Sequence, residues 1–122
     1  MVEILCDTSF LIHISTKKIK NISNLETEIG QVQFLVPTVV AEELERLSQQ
    51  DEKKQEILAT KDYCKNLKKI EISGKFADQA LLNHIKQHGG IIATMDKELK
   101  KKVKGFGGSI MSLSNDRIVL ES

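Results

Sequence analysis

The sequence predicts an α/β domain: a mostly parallel sheet covered by helices on both faces. Short apolar runs alternate with longer amphipathic stretches, in the order strand, helices, strand, helices, strand, helix, strand, helix, strand. Glycine or cap-forming residues punctuate the boundaries, and an acid follows each of four successive strands. At 122 residues the chain can bury a core without covalent staples, and it shows no internal repeat or low-complexity linker. One domain over residues 1–122 is expected.

Val2 to Cys6 reads as a buried strand, and Phe10, Leu11 and Ile14 continue as a short helix capped by Asp7, Thr8 or Ser9. Lys17 to Asn24 is a polar connection, and Leu25 to Ile29 a helical turn closed by Gly30. Val32 to Val36 is the next strand. Pro37 ends it, and Thr38 is a natural N-cap for a helix through about Gln49. Ile57, Leu58, Tyr63, Cys64 and Leu67 suggest a further helix ending near Lys68, followed by a strand over Ile70 to Ile72. Phe76 to His88 is helical, with Gly89-Gly90 as the stop. Ile91 to Thr94 is a strand and Asp96 to Lys104 a lysine-rich helix. Ser109 to Leu113 is the last core strand, and Arg117 to Leu120 adds an edge strand through a hairpin at Ser114-Asn115-Asp116.

Composition narrows the function classes. A 40% hydrophobic and 29% charged chain is ordinary for a soluble globular protein, which argues against disorder. The opening Met1 to Asp7 lacks the basic stretch and long apolar run of a secretory signal. No apolar segment approaches the roughly 18 residues of a membrane span, so no membrane partner is expected. The two cysteines, Cys6 and Cys64, fall in apolar positions of a strand and a helix. They read as buried and reduced, which points to the cytoplasm. The net charge of +1 hides an asymmetry: residues 1–60 carry six basic and ten acidic side chains, residues 61–105 eleven lysines and five acids. A basic flank beside an acidic site suits a phosphate polymer with a metal centre, while lysines that merely solvate helix faces give the same count. Aromatics are few (Phe10, Phe34, Tyr63, Phe76, Phe106), which argues against a single-strand binder built on stacking platforms.

In parallel α/β sheets, ligands bind beyond the carboxyl ends of the strands. Asp7 follows the first strand at once, Glu43 lies in the helix after the second, Asp78 opens the helix after the third, and Asp96 follows the fourth. Such a group repels itself unless a cation neutralises it. A hard divalent ion such as Mg²⁺ takes carboxylates, waters and phosphate oxygens, polarises a scissile phosphate and activates water. Each acid also has a plainer explanation: Asp7 and Asp78 as helix caps, Asp96 meeting a helix dipole, Glu43 as one of the solvated run Glu42, Glu43, Glu45.

A resemblance to a known family bears on that choice. Asp7-Thr8-Ser9-Phe10-Leu11 after an apolar strand resembles the opening motif of PIN domains. Val36-Pro37-Thr38-Val39-Val40-Ala41-Glu42-Glu43-Leu44 resembles their second motif, whose acid precedes the leucine, so Glu43 and not Glu42 is the matching position. Phe76 to Leu81 resembles the third, and Ile92 to Leu99 the fourth. Membership implies a three-layer α/β/α Rossmann-like sandwich with a mostly parallel sheet. It also implies a metal-dependent endoribonuclease in which Asp7, Glu43, Asp78 and Asp96 hold one or two Mg²⁺ or Mn²⁺ ions. Ser9 and Thr94 are auxiliary candidates, hydrogen-bonding the acids or water.

The third and fourth motifs resemble most the PIN ribonucleases that process ribosomal RNA in archaea and eukaryotes, with VapC-type toxins the nearest rival group. Departures are Ser9 where many members have Asn, Gln79 where the rRNA group often has Asp, and Met95 where it often has Asn. The partners implied are RNA, including pre-rRNA and ribosome-assembly factors, with a homodimer left open. A non-catalytic PIN module that binds RNA or protein is the alternative from another class. A phospho-acceptor receiver domain would need paired acids at the first strand and a lysine after the fifth, where Ser112-Leu113-Ser114 stands.

Three weaker signals remain. Lys97, Lys100, Lys101, Lys102 and Lys104 are the candidates for RNA-backbone contacts. His84 and His88 have the four-residue spacing of a zinc pair but no completing ligand, so they read as surface histidines. Gly105-Phe106-Gly107-Gly108 precedes a strand and reads as a turn, not a phosphate loop.

Overall fold

Val2–Cys6 forms β1, in which Ile4, Leu5 and Cys6 are all buried. Successive strand side chains face opposite ways, so three buried neighbours mean that the sheet is covered on both sides. The structure, a computed structural model, describes residues 2–16, 30–50, 52–114 and 117–121. After β1 come α1 (Thr8–Thr16), β2 (Val32–Pro37), α2 (Thr38–Leu47), α3 (Lys54–Cys64) and β3 (Lys68–Ile70). Then follow α4 (Ala77–His88), β4 (Ile91–Ala93), α5 (Lys97–Gly105), β5 (Ser109–Ser114) and β6 (Arg117–Glu121).

The six strands make one sheet in the order β3-β2-β1-β4-β5-β6. Every neighbouring pair is parallel except β5 and β6. The chain lays β2 and β3 to one side of β1, then returns to lay β4, β5 and β6 on the other. With right-handed crossovers, that reversal places α1 and α3 on one face and α4 and α5 on the opposite one. The packing agrees: α1 rests on α3, and α4 on α5. The expected mostly parallel α/β sandwich is the fold observed.

Local boundaries differ in three places. The third strand lies at Lys68–Ile70, two residues earlier than expected, and the preceding helix ends at Cys64. Its ladder runs Leu35↔Lys68 to Pro37↔Ile70 and stops where β2 gives way to α2. Ile72 is buried instead, its carbonyl accepting the Val39 N–H at 3.1 Å. Thr38 is not the cap of α2. Pro37 holds that position without a side-chain bond, and the Thr38 hydroxyl donates to the Ile70 carbonyl at 3.1 Å, tying the helix start to β3. The expected turn over Leu25 to Ile29 and the hairpin residues Asn115 and Asp116 lie outside the described residues. Both cysteines are free and buried, and no described helix is long and apolar enough to cross a membrane.

Candidate active site

The reversal of strand order opens a crevice at the carboxyl ends of β1 and β4, where open α/β sheets take their ligands. The ladder carries past the strands themselves: the Asp7 N–H donates to the Ala93 carbonyl at 2.9 Å, and the Thr94 N–H to Met111 at 3.0 Å. Asp7 and Thr94 therefore stand side by side just past the ends of the two central strands.

Two hydroxyls fix the Asp7 carboxylate. A hydroxyl has one proton to give and lone pairs to accept with. Thr94 Oγ1 accepts the Asp96 N–H at 3.0 Å and donates to Asp7 Oδ2 at 2.8 Å. Ser9 Oγ accepts the Met95 N–H at 3.0 Å and donates to the same Oδ2 at 3.1 Å. Each hydroxyl is thus oriented by a backbone donor and turned toward the acid. Burial pushes the Asp7 carboxyl above the ordinary aspartate range; bonds from Thr94, the Thr8 backbone and Ser9 pull it down, and the Asp96 charge adds a smaller upward push. Solvation therefore matters more here than mutual repulsion.

Asp96 combines two explanations that the sequence left as alternatives. It is the N-cap of α5, with Oδ1 accepting from Glu98 N at 2.9 Å and Leu99 N at 3.4 Å, and it also faces the crevice. Glu43 is half-buried on α2 and Asp78 exposed in the first turn of α4. Asp78 is not a cap, since Phe76 holds that position. All four acids line one cleft of about 650 Å³. Among the described residues none of them has an ion-pair partner, the recorded pairs using Glu3, Glu45, Asp62 and Glu121 instead.

The acids share the cleft without converging: among the described residues, no three His, Cys, Asp or Glu side chains stand close enough to hold a metal ion. The donor chemistry nevertheless fits a hard divalent cation, being all oxygen and carrying negative charge with no ion-pair partner among the described residues. The buried Thr8 hydroxyl in the cleft wall, which has no hydrogen-bond partner among the described residues, is a further oxygen of that kind.

The candidate lysines lie elsewhere. None of Lys97, Lys100, Lys101, Lys102 and Lys104 lines the cleft. Lys100 and Lys104 reach Glu121 on β6 at 3.7 and 2.9 Å, whereas Lys97, Lys101 and Lys102 are exposed with no ion pair among the described residues. His84 and His88 lie with ring centroids 4.6 Å apart and tilted by 42°, beside the amino ends of β1 and β4 and away from the acids. Of the glycine segment, Gly105 ends α5, and Phe106 and Gly107 form the expected turn, with Gly107 N bonded to Lys104 O at 3.0 Å. Sequence reasoning missed Arg46, Gln50, Lys75 and Phe76, which also line the cleft. Arg46 had a signal: three residues past Glu43, it shares that face of the helix.

Residues 4–116 match the family described as PIN like domain. Ribonuclease VapC4 of Methanocaldococcus jannaschii is 36% identical over 109 residues, covering 84% of this chain and 83% of that protein. Ribonuclease VapC9 of Archaeoglobus fulgidus is 30% identical over 115 residues, covering 93% and 84%. Among solved structures, the PIN domain endonuclease Utp24 superposes with a TM-score of 0.78 at 23% identity, over 98% of this chain and 90% of that one. VapBC2 of Rickettsia felis, bound to a fragment of promoter DNA, gives 0.52 at 19% identity over 82% and 92%. The two structural likenesses show the fold alone.

Proposed function

Because this chain belongs to the PIN-like domain family, we propose that residues 1–122 act as one PIN domain, a metal-dependent endoribonuclease that hydrolyses RNA phosphodiester bonds. The observation that carries the reading is the switch-point cleft onto which Asp7, Glu43, Asp78 and Asp96 all open without ion-pair partners among the described residues. Two relatives named as ribonucleases support RNA as the substrate.

Asp7, Glu43, Asp78 and Asp96 would hold one or two Mg²⁺ or Mn²⁺ ions. When bound, the cation supplies charge stabilisation at the phosphate and acidifies water. Ser9 and Thr94 act as positioning residues, holding the Asp7 carboxylate in one orientation as donors behind a ligand do. The α5 backbone N–H groups steady Asp96 in the same way. One carboxylate orients the attacking water, and Lys97, Lys101 and Lys102 contact the RNA backbone.

For the setting, identities of 36% and 30% to VapC ribonucleases favour a VapC-type enzyme with an antitoxin partner. Processing of pre-rRNA with ribosome-assembly factors is the second reading, resting on the third and fourth motifs. Buried free cysteines support the cytoplasm.

The test incubates purified protein with RNA in Mn²⁺ or EDTA and sequences the ends produced. Cleavage in Mn²⁺, its loss in EDTA and its loss in Asp96→Asn are expected. Asn is itself a good N-cap, so the variant keeps α5. RNA that is bound but never cut would establish the non-catalytic module, and wild-type-like cutting by Asp96→Asn would remove that acid from the site.

A further inference from the structure

We propose that Phe76, Lys75 and Arg46 set the position of the RNA strand across the acids: Phe76 stacks one base, and Lys75 and Arg46 hold neighbouring phosphates. The inference rests on the ribonuclease reading and concerns what fixes the strand, not what cuts it.

Phe76 is 62% exposed, the largest exposure among the large hydrophobic side chains recorded as exposed, and it lies on the wall of the acid cleft. Fraying does not explain its position. Its backbone is extended, and its carbonyl accepts the Ala80 N–H at 3.1 Å, the first bond of α4. Gly74 just before it packs so closely that a Cβ there would meet Ala80 Cβ at 2.8 Å. The segment carrying Lys75 and Phe76 is therefore pressed against α4, while the ring itself stays in solvent. An apolar ring fixed in water gains most from a flat partner, and every nucleobase has such a face.

The cations follow the same logic. Arg46 lies one turn beyond Glu43 on α2, a spacing at which an ion pair forms readily. Lys75 lies three residues before Asp78. Yet no carboxylate lies within 4.0 Å of Arg46 or Lys75 among the described residues. Lys75 instead approaches the Phe76 ring, Nζ 5.7 Å from its centroid. Each of these two walls thus carries an acid and an unpaired cation. That is the arrangement a polyanion needs if its phosphates are to be held while a metal occupies the acids. The planar guanidinium of Arg46 suits a phosphate especially well.

The test measures affinity for a short, unstructured, fluorescein-labelled RNA by anisotropy, in EDTA and in Ca²⁺, for wild type and variants with matching melting curves. Phe76→Ala should weaken binding roughly 5- to 150-fold with an unchanged salt slope, since stacking involves no counterion. Phe76→Tyr and Phe76→Trp should restore affinity and Phe76→Leu should not. Arg46→Gln and Lys75→Gln should each lower the slope of log affinity against log salt by about 0.7. Moving one abasic site along the RNA should reveal one position that costs wild type affinity and Phe76→Ala nothing. Wild-type affinity in Phe76→Ala, or a loss unrelated to abasic position, overturns the stacking role. Unchanged slopes overturn the phosphate contacts. A wild-type protein that binds no RNA in either buffer overturns this inference and the ribonuclease reading together.

Discussion

The acid cleft and the α5–β6 surface treat charge in opposite ways. On the surface, Glu121 gathers Lys100, Lys104 and the Ser112 hydroxyl, so charges of both signs are satisfied within the protein. In the cleft, four acids and two cations line one space without an ion pair between them among the described residues. The few bonds there go to Asp7, Asp78 and Asp96, and they orient the groups without neutralising them. A charge paired internally serves the fold. A charge left unpaired at a strand switch is available to something that arrives later.

Breaking the comparison at its strongest point means removing the Asp7 charge. Asp7→Asn should lower Mn²⁺-dependent cleavage by about 10²-fold or more, read as initial rates on labelled RNA. The same change should raise the melting temperature without metal. Burial raises the Asp7 carboxyl in the folded state, so the fold binds its proton more tightly than the unfolded chain does. Stability is then fully present below the ordinary aspartate range and is lost as pH rises through the raised folded value. Asn lacks that loss, so the variant's advantage should be greatest near neutral pH and vanish in acid. Equal melting curves for the two proteins at neutral pH would show that the buried charge costs nothing.

Metal sharpens the contrast. Mn²⁺ at 100 times its dissociation constant should stabilise wild type by about 2.7 kcal/mol per site, a rise of roughly 10 °C for a domain of this size. Asp7→Asn should start higher and gain less.

A smaller effect separates the two kinds of lysine. Replacing Lys97, Lys101 and Lys102 by Ala should flatten the salt dependence of RNA binding by about 0.7 per lost contact, while replacing Lys100 and Lys104 should leave it unchanged. Equal slopes in the two triple and double variants would dissolve the distinction. Smallest of all, Glu121→Gln should cost at most about 1 kcal/mol, because exposed pairs contribute little. Bonds from Lys104 and Ser112 hold the Glu121 carboxyl below its usual range, so that contribution is present at neutral pH and lost as pH falls through the lowered value. Denaturant melts at neutral and acid pH measure it.

The sheet was legible because apolar runs alternated with helical periodicity, and the shared edge of the four acids followed from parallel strand order. Segment ends were less so. Ile70 and Ile72 look like a strand, yet only the end of β2 decides that Ile72 has no ladder to join. Thr38 looks like a cap, but the neighbouring Ile70 carbonyl takes its hydroxyl. Lys75 and Phe76 escaped notice because an exposed loop side chain leaves no periodic trace, and Arg46 because its spacing from Glu43 was the only trace it left; what marks all three is the cleft they line. For Asp96 the helix-dipole partner and the cleft acid looked like rival explanations, and a capping carboxylate with two oxygens allows both.

The bond from Thr94 to Asp7 joins positions 87 apart. While the chain is being made, Asp7 precedes Thr94, and its carboxylate lacks that bond until β4 has followed and docked beside β1. A parallel neighbour cannot form from a local hairpin, so a nascent chain that ends before β4 lacks the Thr94 donor to the acid. On the ribonuclease reading, the nascent chain gains its oriented acid only after β4 has been made and has docked beside β1.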